Sequence, residues 1–435
     1  MSEYSVAAIK AKMGSTAYFQ AVMTASELTA TVRAAMDFVE FETFMEHDRM
    51  QRKLNEERVE REIVPYLTNS ADRFFGSIIV LVYKPEKFGF EPISLFMDKK
   101  LKGPYKGKDE QLGVLTIEGG DLFALDGQHR LHALRTVIQG DVTPHLRLPI
   151  KGEFKNFIAS DELSVIFLEF ESVIKARRIF NKVNRYAKPT SKSTNILTSE
   201  DDGYAIITRA LIGDDDPDKF GGTLAPPLQK YYPNSAVPMI KIEGSSLSGS
   251  DKELLTLETI YASVKSICVN TNQPSLDEKT TIVRPTDDVL AVAYDTCALW
   301  WTELMKTFRP FGGTFRTPNH PVNSRKTSHT SSLAYRPVGQ EVIINGLMLA
   351  HKKSRLSAAT LISRLDAVPR KLASKPWIEI LASSNGRVLS TNKTLAAHIM
   401  AWCLIGDGIG AKLVDEVESG WREIHGSYPL PTPKN

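Results

Sequence analysis

The spacing of apolar and polar residues predicts alternating strands and helices in the first part of the chain. Residues 76–85 (GSIIVLVYKP) and 163–170 (LSVIFLEF) are short apolar and β-branched runs, which are typical of strands. Residues 128–139 and 172–186 have apolar positions at helical spacing. This succession predicts a mixed α/β domain, which we assign to residues 1–200.

The second part of the chain is predicted to be mainly helical. Residues 213–238 are rich in Pro, Gly and Asp, so we expect a linker and long loop over residues 201–252. Beyond it, helical periodicity returns, most clearly in residues 287–308. The predicted fold class is therefore α+β, with the mixed domain followed by a mainly α-helical domain at residues 253–435.

Composition narrows the classes of protein to consider. A chain of 435 residues is too long for one core, and its 42% apolar and 24% charged residues are ordinary for a globular protein. We expect no membrane span, since no run approaches about twenty apolar residues, and no secretory signal. Three widely separated cysteines fit a reducing cytoplasm. The net charge of only +3 means that evidence for a nucleic-acid partner must come from local clusters.

One junction carries most of the candidate chemistry. In the stretch LFALDGQHRLHALR, an apolar run stops at Asp126 and Gly127, and helical spacing resumes after Gln128, His129 and Arg130. Glycine lets a backbone approach a ligand closely, and the first N–H groups of a helix attract anions. The arginine offers a planar fork for an anion, while the amide and the imidazole add donors. The aspartate can cap the helix, or hold a metal ion or a ribose.

Three interpretations of this junction remain open on spacing alone. Helix phase directs Arg130 towards the covered side, where an unpaired charge is prohibitively costly, so it needs an anion. That anion is either an internal carboxylate such as Glu169 or a bound nucleotide. A metal site using Asp126, His129 and His132 is the third interpretation, although ligands three residues apart drift around a helix. The GxxxxGK[ST], HExxH and GxSxG signatures are absent from the sequence.

A basic segment, residues 173–192, contains seven Lys or Arg residues and no acid. Its apolar residues form one helical face, and its cations repeat on roughly the opposite face. A solvated helix usually mixes Glu with Lys, so an uncompensated stripe favours contact with a polyanion. Contact with DNA phosphates is the first interpretation, and a solvated face is the second. The predicted DNA contacts are Lys175, Arg178, Lys182, Arg185 and Lys188.

Residues 307–340 form a second acid-free stretch, in which basic and aromatic residues alternate within a Gly-, Pro- and Ser-rich sequence. Such a composition predicts a loop in the helical domain, suited to a strand or groove of nucleic acid. The alternative is a disordered surface loop. The predicted DNA contacts here are Arg316, Arg325, Lys326 and Arg336.

Four stretches resemble a known family. LDGQHRLHAL resembles the signature of the DGQHR-domain family, which includes the B protein of bacterial DNA phosphorothioation (Dnd) systems. KMGSTAYFQAVMTASEL is similar to its N-terminal strand pair, IFNKVNRYAKPTSKS to its second motif with Asn184, and YRPVGQEVI to its C-terminal motif. The resemblance implies a fold related to the ParB and sulfiredoxin nucleotide-binding domains. It also implies that Gly127, His129 and Arg130 contact nucleotide phosphates.

The resemblance implies a DNA-binding regulatory or accessory protein of a bacterial DNA-modification or defence system, with a role in transcriptional regulation. ATP or another nucleoside triphosphate, with or without Mg²⁺, is expected at residues 126–130. Expected partners are DNA and other proteins of the same gene cluster, and the chain can also form a homo-oligomer. One alternative is an ATP-hydrolysing subunit that assists base modification, with Asp126 and His129 as catalytic candidates. Another is a protein-interaction scaffold.

Overall fold

A computed structural model places most of the chain in two compact units, Met1–Pro189 and Thr190–Asn435. The boundary at Pro189 lies before the predicted domain limit at residue 200. The residues described are 3–34, 56–99, 101–139, 150, 152–176, 178–179, 191–271, 276, 281, 283–312, 319–325, 331–384 and 387–434.

The first unit is built on a mixed β-sheet of eight described strands, in the order β3-β7-β4-β8-β2-β1-β6-β5. The β3–β7 and β4–β8 pairs are parallel, and the other neighbours are antiparallel. The strands are β1 (Tyr4–Met13), β2 (Thr16–Thr24), β3 (Val32–Ala34), β4 (Ile78–Tyr83), β5 (Lys87–Pro92), β6 (Leu112–Glu118), β7 (Asp121–Asp126) and β8 (Glu162–Glu169).

The two faces of this sheet pack against different elements. Ile78, Val80 and Val82 of β4 belong to the core shared with the helices, whereas Leu81 and Tyr83 belong to a smaller core on the second face. This division follows from the two-residue period of a strand. The helices of the first core are α1 (Ala25–Thr31), α2 (the consecutive stretches Glu56–Arg58, Val59–Ile63 and Val64–Asn69) and α3 (Gln128–Gln139).

The second unit is mainly helical, so the predicted α+β fold class is confirmed. Likeness to ParB and sulfiredoxin stays a prediction. No helix among the described residues is long and apolar enough to cross a membrane. Two short strands, β9 (Ile240–Lys241) and β10 (Leu255–Thr256), pair in parallel. The helices are α4 (Lys192–Thr198), α5 (Gly203–Leu211), α6 (Leu257–Asn270), α7 (Asp287–Thr307), α8 (Asn319–Arg325), α9 (Pro337–Ser354), α10 (Ala358–Leu365), α11 (Lys393–Ile405) and α12 (Ala411–His425).

Residues 201–252, predicted to be a linker and long loop, lie within the second unit. Helix α5 is buried along its whole length, and the Asp202 carboxylate accepts hydrogen bonds from the N–H groups of Tyr204 (2.9 Å) and Ala205 (3.2 Å). Inside the unit, Arg209 Nε donates to Asp215 Oδ2 at 2.7 Å. The acidic residues of this segment therefore cap a helix and pair with a buried arginine.

The predicted basic and aromatic loop at residues 307–340 is largely part of the core where it is described. Phe308 and Phe311 are 0% and 1% exposed, and their ring centroids lie 5.1 Å apart. Phe311 also stacks on Trp301, with the ring centroids 6.1 Å apart. The expectation of a surface loop is therefore wrong for these aromatic residues. Removing their rings from water stabilises the fold, so they pack into the core.

Two of the four predicted DNA contacts in this stretch lie inside the second unit. Arg325 is 2% exposed, and its guanidinium donates to the carbonyl oxygens of Tyr335 (2.6 Å), Asp251 (2.7 Å) and Glu253. Burial lowers the pKa of Arg325 to about 10. Arg336 donates at 3.1 Å to three acceptors, and burial lowers its pKa. These arginines satisfy backbone carbonyls, which corrects their predicted role. Arg316 and Lys326 lie outside the described residues.

Replacing Arg325 with alanine is expected to destabilise the second unit strongly. Three carbonyl oxygens lose a buried donor, and each costs about 1–3 kcal/mol when left unsatisfied. The free energy of unfolding in urea measures the loss. Arg309→Ala is the matched control, because Arg309 is 74% exposed and forms one ion pair with Asp366. Equal stability of the two variants would contradict a structural role for Arg325.

Candidate functional site

The DGQHR turn, residues 126–130, joins β7 to α3. β7 ends at Asp126, α3 begins at Gln128, and Gly127 between them has a φ of +92°. A Cβ atom at this glycine would lie 2.9 Å from Ile78 Cγ1 and 3.2 Å from Arg130 Nη2. Both the left-handed backbone and the crowding therefore require glycine here.

Arg130 is held by the turn itself. Its Nη2 donates to Asp126 Oδ2 at 2.8 Å, and its Nη1 donates to the carbonyl oxygen of Gly76 and, at 3.4 Å, to that of Ser77. The side chains are 23% and 34% exposed, so the ion pair is partly shielded from water. The anion that helix phase required is therefore the carboxylate of Asp126. The suggested partner Glu169 instead ends β8 beside Val82, towards the opposite end of β4.

His129 is half-buried, and the charges of Arg58, Asp126 and Arg130 all act on it. Desolvation by burial is the main cause that lowers the pKa of His129, and the charges of Arg58 and His132 act in the same direction. Asp126 raises this pKa, but by less. The imidazole is therefore neutral at pH 7, a state in which it can accept a proton.

Arg58 is a residue of this site that the sequence interpretation missed. It lies in α2, which packs against α3, and its charge acts on His129 more strongly than the charges of Asp126 and Arg130 do. Its Nε donates to Glu62 Oε2 at 3.2 Å, four residues along the same helix. Only the three-dimensional packing of α2 on α3 brings this cation to the turn.

The interpretation of the turn as a metal site gains no support. The described residues contain no group of three or more His, Cys, Asp or Glu side chains that could hold a metal ion. Gln128 opens α3 and is half-buried. Asp126 is already an acceptor for Arg130. The structure therefore shows a strand-to-helix turn whose arginine is paired with the carboxylate of Asp126.

The start of the basic segment lies on the second face of the sheet. Lys175 forms an ion pair with Glu171, four residues earlier, and Arg178 is exposed. The positive charge of Lys175, the first cation of the basic segment, is therefore neutralised by Glu171, which lies just before the acid-free stretch. The structure does not describe three other predicted DNA contacts, Lys182, Arg185 and Lys188. Asn184 of the second family motif also lies outside the described residues.

The chain matches one family model in the comparisons with known proteins. The model of the family DndB, described as DNA-sulfur modification-associated, matches residues 6–310. This range includes the DGQHR turn and the basic segment. The YRPVGQEVI stretch at residues 335–343 lies beyond it. No curated protein and no solved structure matches the chain at a significant level.

Lowering the pH is expected to destabilise the protein through His129. The folded state holds its pKa below the ordinary value, whereas the unfolded chain titrates near about 6.5. Below that pH the unfolded state binds more protons, so the free energy of unfolding falls until the pH reaches the lower folded-state pKa. Urea unfolding of the wild type and of His129→Gln on both sides of that pH measures the effect.

The His129→Gln variant is expected to lose less stability on acidification than the wild type. Arg58→Gln is the second variant, since removing that cation raises the pKa of His129 and also reduces the acid sensitivity. Identical pH dependence in the wild type and His129→Gln would show that the folded state does not disfavour the imidazolium form.

Proposed function

The chain belongs to the DndB family, and from this premise we propose that it serves a bacterial DNA phosphorothioation system as a DNA-binding regulatory or accessory protein. Involvement in DNA sulfur modification follows from the family. Binding of DNA and of a nucleotide is proposed from the side chains described above. Other proteins encoded with such a system are its proposed protein partners.

The observation that carries nucleotide binding is the positive electrostatic environment of the DGQHR turn. Desolvation by burial is the main cause that lowers the pKa of His129, and the charges of Arg58 and, more weakly, Arg130 add to it at the point where the N-terminus of α3 contributes its own positive end. Such an environment favours a phosphate group. A triphosphate such as ATP, alone or with Mg²⁺, is the proposed ligand, with the turn from Asp126 to Arg130 as its site.

A phosphate at this turn has to compete with Asp126 for Arg130. The ion pair is closed in the described state, so binding requires the guanidinium to exchange one anion for another. This exchange gives the nucleotide a way to alter the contacts of Arg130 with Gly76 and Ser77, which precede β4. A sensing role, in which the nucleotide favours one state of the protein, follows from that competition.

A second function is favoured by the protonation state of His129. A neutral imidazole close to the carboxylate of Asp126 is suited to general-base chemistry, which an ATP-hydrolysing subunit requires. In that case Asp126 would help to hold a metal-bound phosphate. The two functions require different behaviour of Asp126. In the sensor, the carboxylate of Asp126 has to release Arg130, whereas in the hydrolase it has to stay close to the bound nucleotide.

Variants of Asp126 and Arg130 therefore test the nucleotide proposal. Arg130→Ala is expected to weaken ATP binding about tenfold or more, the loss typical of a charge-assisted hydrogen bond. Asp126→Asn is expected to strengthen binding, since it removes the competing charge with little change in shape. Calorimetric titration with ATP, with and without Mg²⁺, gives the affinities, and phosphate release measures turnover.

Arg33→Ala is the control, because Arg33 is an exposed arginine of the same unit that pairs with Asp121. Unchanged ATP affinity in both turn variants would contradict nucleotide binding at the turn. Turnover in the wild type that Asp126→Asn abolishes would favour the enzyme over the sensor.

DNA binding by the basic segment is proposed from Arg178 and from the family. Charge reversal in Arg178→Glu and Arg185→Glu is expected to weaken binding to duplex DNA. Each lost phosphate contact is expected to reduce the slope of log affinity against log salt by about 0.9. Fluorescence anisotropy at several salt concentrations measures both quantities. Lys106→Glu, at an exposed position of the same unit, is the control, and equal slopes in all the proteins would exclude the segment.

A further inference from the structure

The second face of the sheet carries a groove that is separate from the DGQHR turn. Its volume is about 1000 Å³, at the upper end of the range of about 300–1,000 Å³ for pockets that hold small ligands. The floor consists of Ile79 of β4 with Ile166 and Leu168 of β8. These side chains alternate along the strands with those of the main core, so the floor is an apolar surface on the second face of the sheet.

The rim of the groove is polar and carries positive charge. Tyr18 and Gln20 of β2 line it, and Gln20 Nε2 donates to Ser164 Oγ at 3.2 Å, which orients the amide. Lys175 and Arg178 stand on the side formed by the helical residues after β8. Of the lining residues described, none is an acid.

The two cations differ in what they offer a ligand. Lys175 is neutralised by Glu171, and its side chain is 22% exposed. Arg178 is exposed and forms no ion pair or hydrogen bond with another residue of the described part of the chain. An anionic group in the groove would therefore meet Arg178, whose planar fork suits a phosphate.

We propose that the groove binds one unpaired nucleotide of a DNA strand, with its base on the apolar floor and its phosphate at Arg178. An apolar surface suits the face of a planar ring, and neutral donors and acceptors such as Gln20 and Tyr18 suit the edge of a heterocycle. A base inside a duplex is stacked and cannot reach the floor, so the nucleotide has to be unpaired. This inference rests on the proposed DNA binding and identifies the form of DNA that is preferred.

The test compares three DNA duplexes that are identical except at one position. The first is fully paired, the second carries one extra unpaired thymidine, and the third carries an abasic residue in its place. The wild type is expected to bind the second duplex about tenfold more tightly than the other two, the typical contribution of one docked base. Fluorescence anisotropy gives the three affinities, and 2-aminopurine in place of the thymine reports burial of the base.

Two variants that fill the groove are expected to abolish the preference for the unpaired base. Ile166→Trp occupies the floor, and Thr16→Trp narrows the rim without entering the main core. Val22→Trp is the matched control, because Val22 lies on the same face of β2, is 54% exposed and does not line the groove. Affinity for the fully paired duplex is expected to be the same in all four proteins.

The outcomes separate this inference from the proposed function. Equal affinities for the thymidine and abasic duplexes, or a preference that survives in both groove variants, would overturn the inference while leaving duplex binding intact. Free thymidine monophosphate that competes as strongly as the duplex with the unpaired thymidine would also overturn it, since the occupant would then be a free nucleotide. Wild-type protein that binds none of the duplexes would contradict the proposed function itself.

Discussion

The ion pair between Arg130 and Asp126 is the contact on which the candidate site depends. It links the last residue of β7 to the first turn of α3, and the same guanidinium reaches the carbonyl oxygens of Gly76 and Ser77, just before β4. One side chain thus fastens a helix to two neighbouring strands. Gly127 makes this geometry sterically feasible, because a Cβ atom there would press on both Ile78 and the guanidinium. The turn therefore stabilises the adjoining ends of β7 and β4.

Because of this ion pair, any anionic ligand at the turn would have to displace Asp126 from Arg130. Asp126 is attached to the same chain as Arg130, so its effective concentration at the guanidinium is high. A lone anion competes poorly with such a partner, so in the proposed complex a triphosphate would have to engage Arg58 and the N-terminus of α3 as well. Burial is the main cause of the lowered pKa of His129, and the charge of Arg58 acts in the same direction. The proposal therefore favours a multiply charged ligand over a single carboxylate.

Much of this site was predictable from the sequence, and the part that was not has a physical explanation. The spacing of the apolar residues and the position of Gly127 predicted the turn correctly, and the helical spacing predicted that Arg130 points inwards. The partner was missed because Asp126 is the last residue of a strand, where the helical rule for residues four apart does not ordinarily apply. Arg58 was missed because nothing in the local sequence indicates which helix packs on α3.

Long-range contacts also explain why the prediction for residues 307–340 was wrong where the structure describes them. Arg325 lies in a basic, polar stretch, yet two of its acceptors are the carbonyl oxygens of Asp251 and Glu253, distant in sequence. Composition records that a cation is present, but not whether backbone oxygens elsewhere will surround it. Lys175 illustrates the same point over a shorter distance, since one acid just outside the basic segment neutralises its first member.

Strand alternation connects the turn to the groove on the other face of the sheet. Ile78 packs beneath Gly127, and Ile79, the next residue, lies on the floor of the groove. Ser77 contacts Arg130 through its carbonyl oxygen, and its hydroxyl lies 2.9 Å from Ser164 Oγ, which in turn accepts from Gln20 at the groove rim. Ser77 therefore takes part in two hydrogen bonds, one with the guanidinium through its carbonyl oxygen and one with Ser164 of β8 through its hydroxyl. If a phosphate displaces Asp126 from Arg130, as proposed above, the contact of the guanidinium with the carbonyl oxygen of Ser77 is where that change would reach the groove side of the sheet.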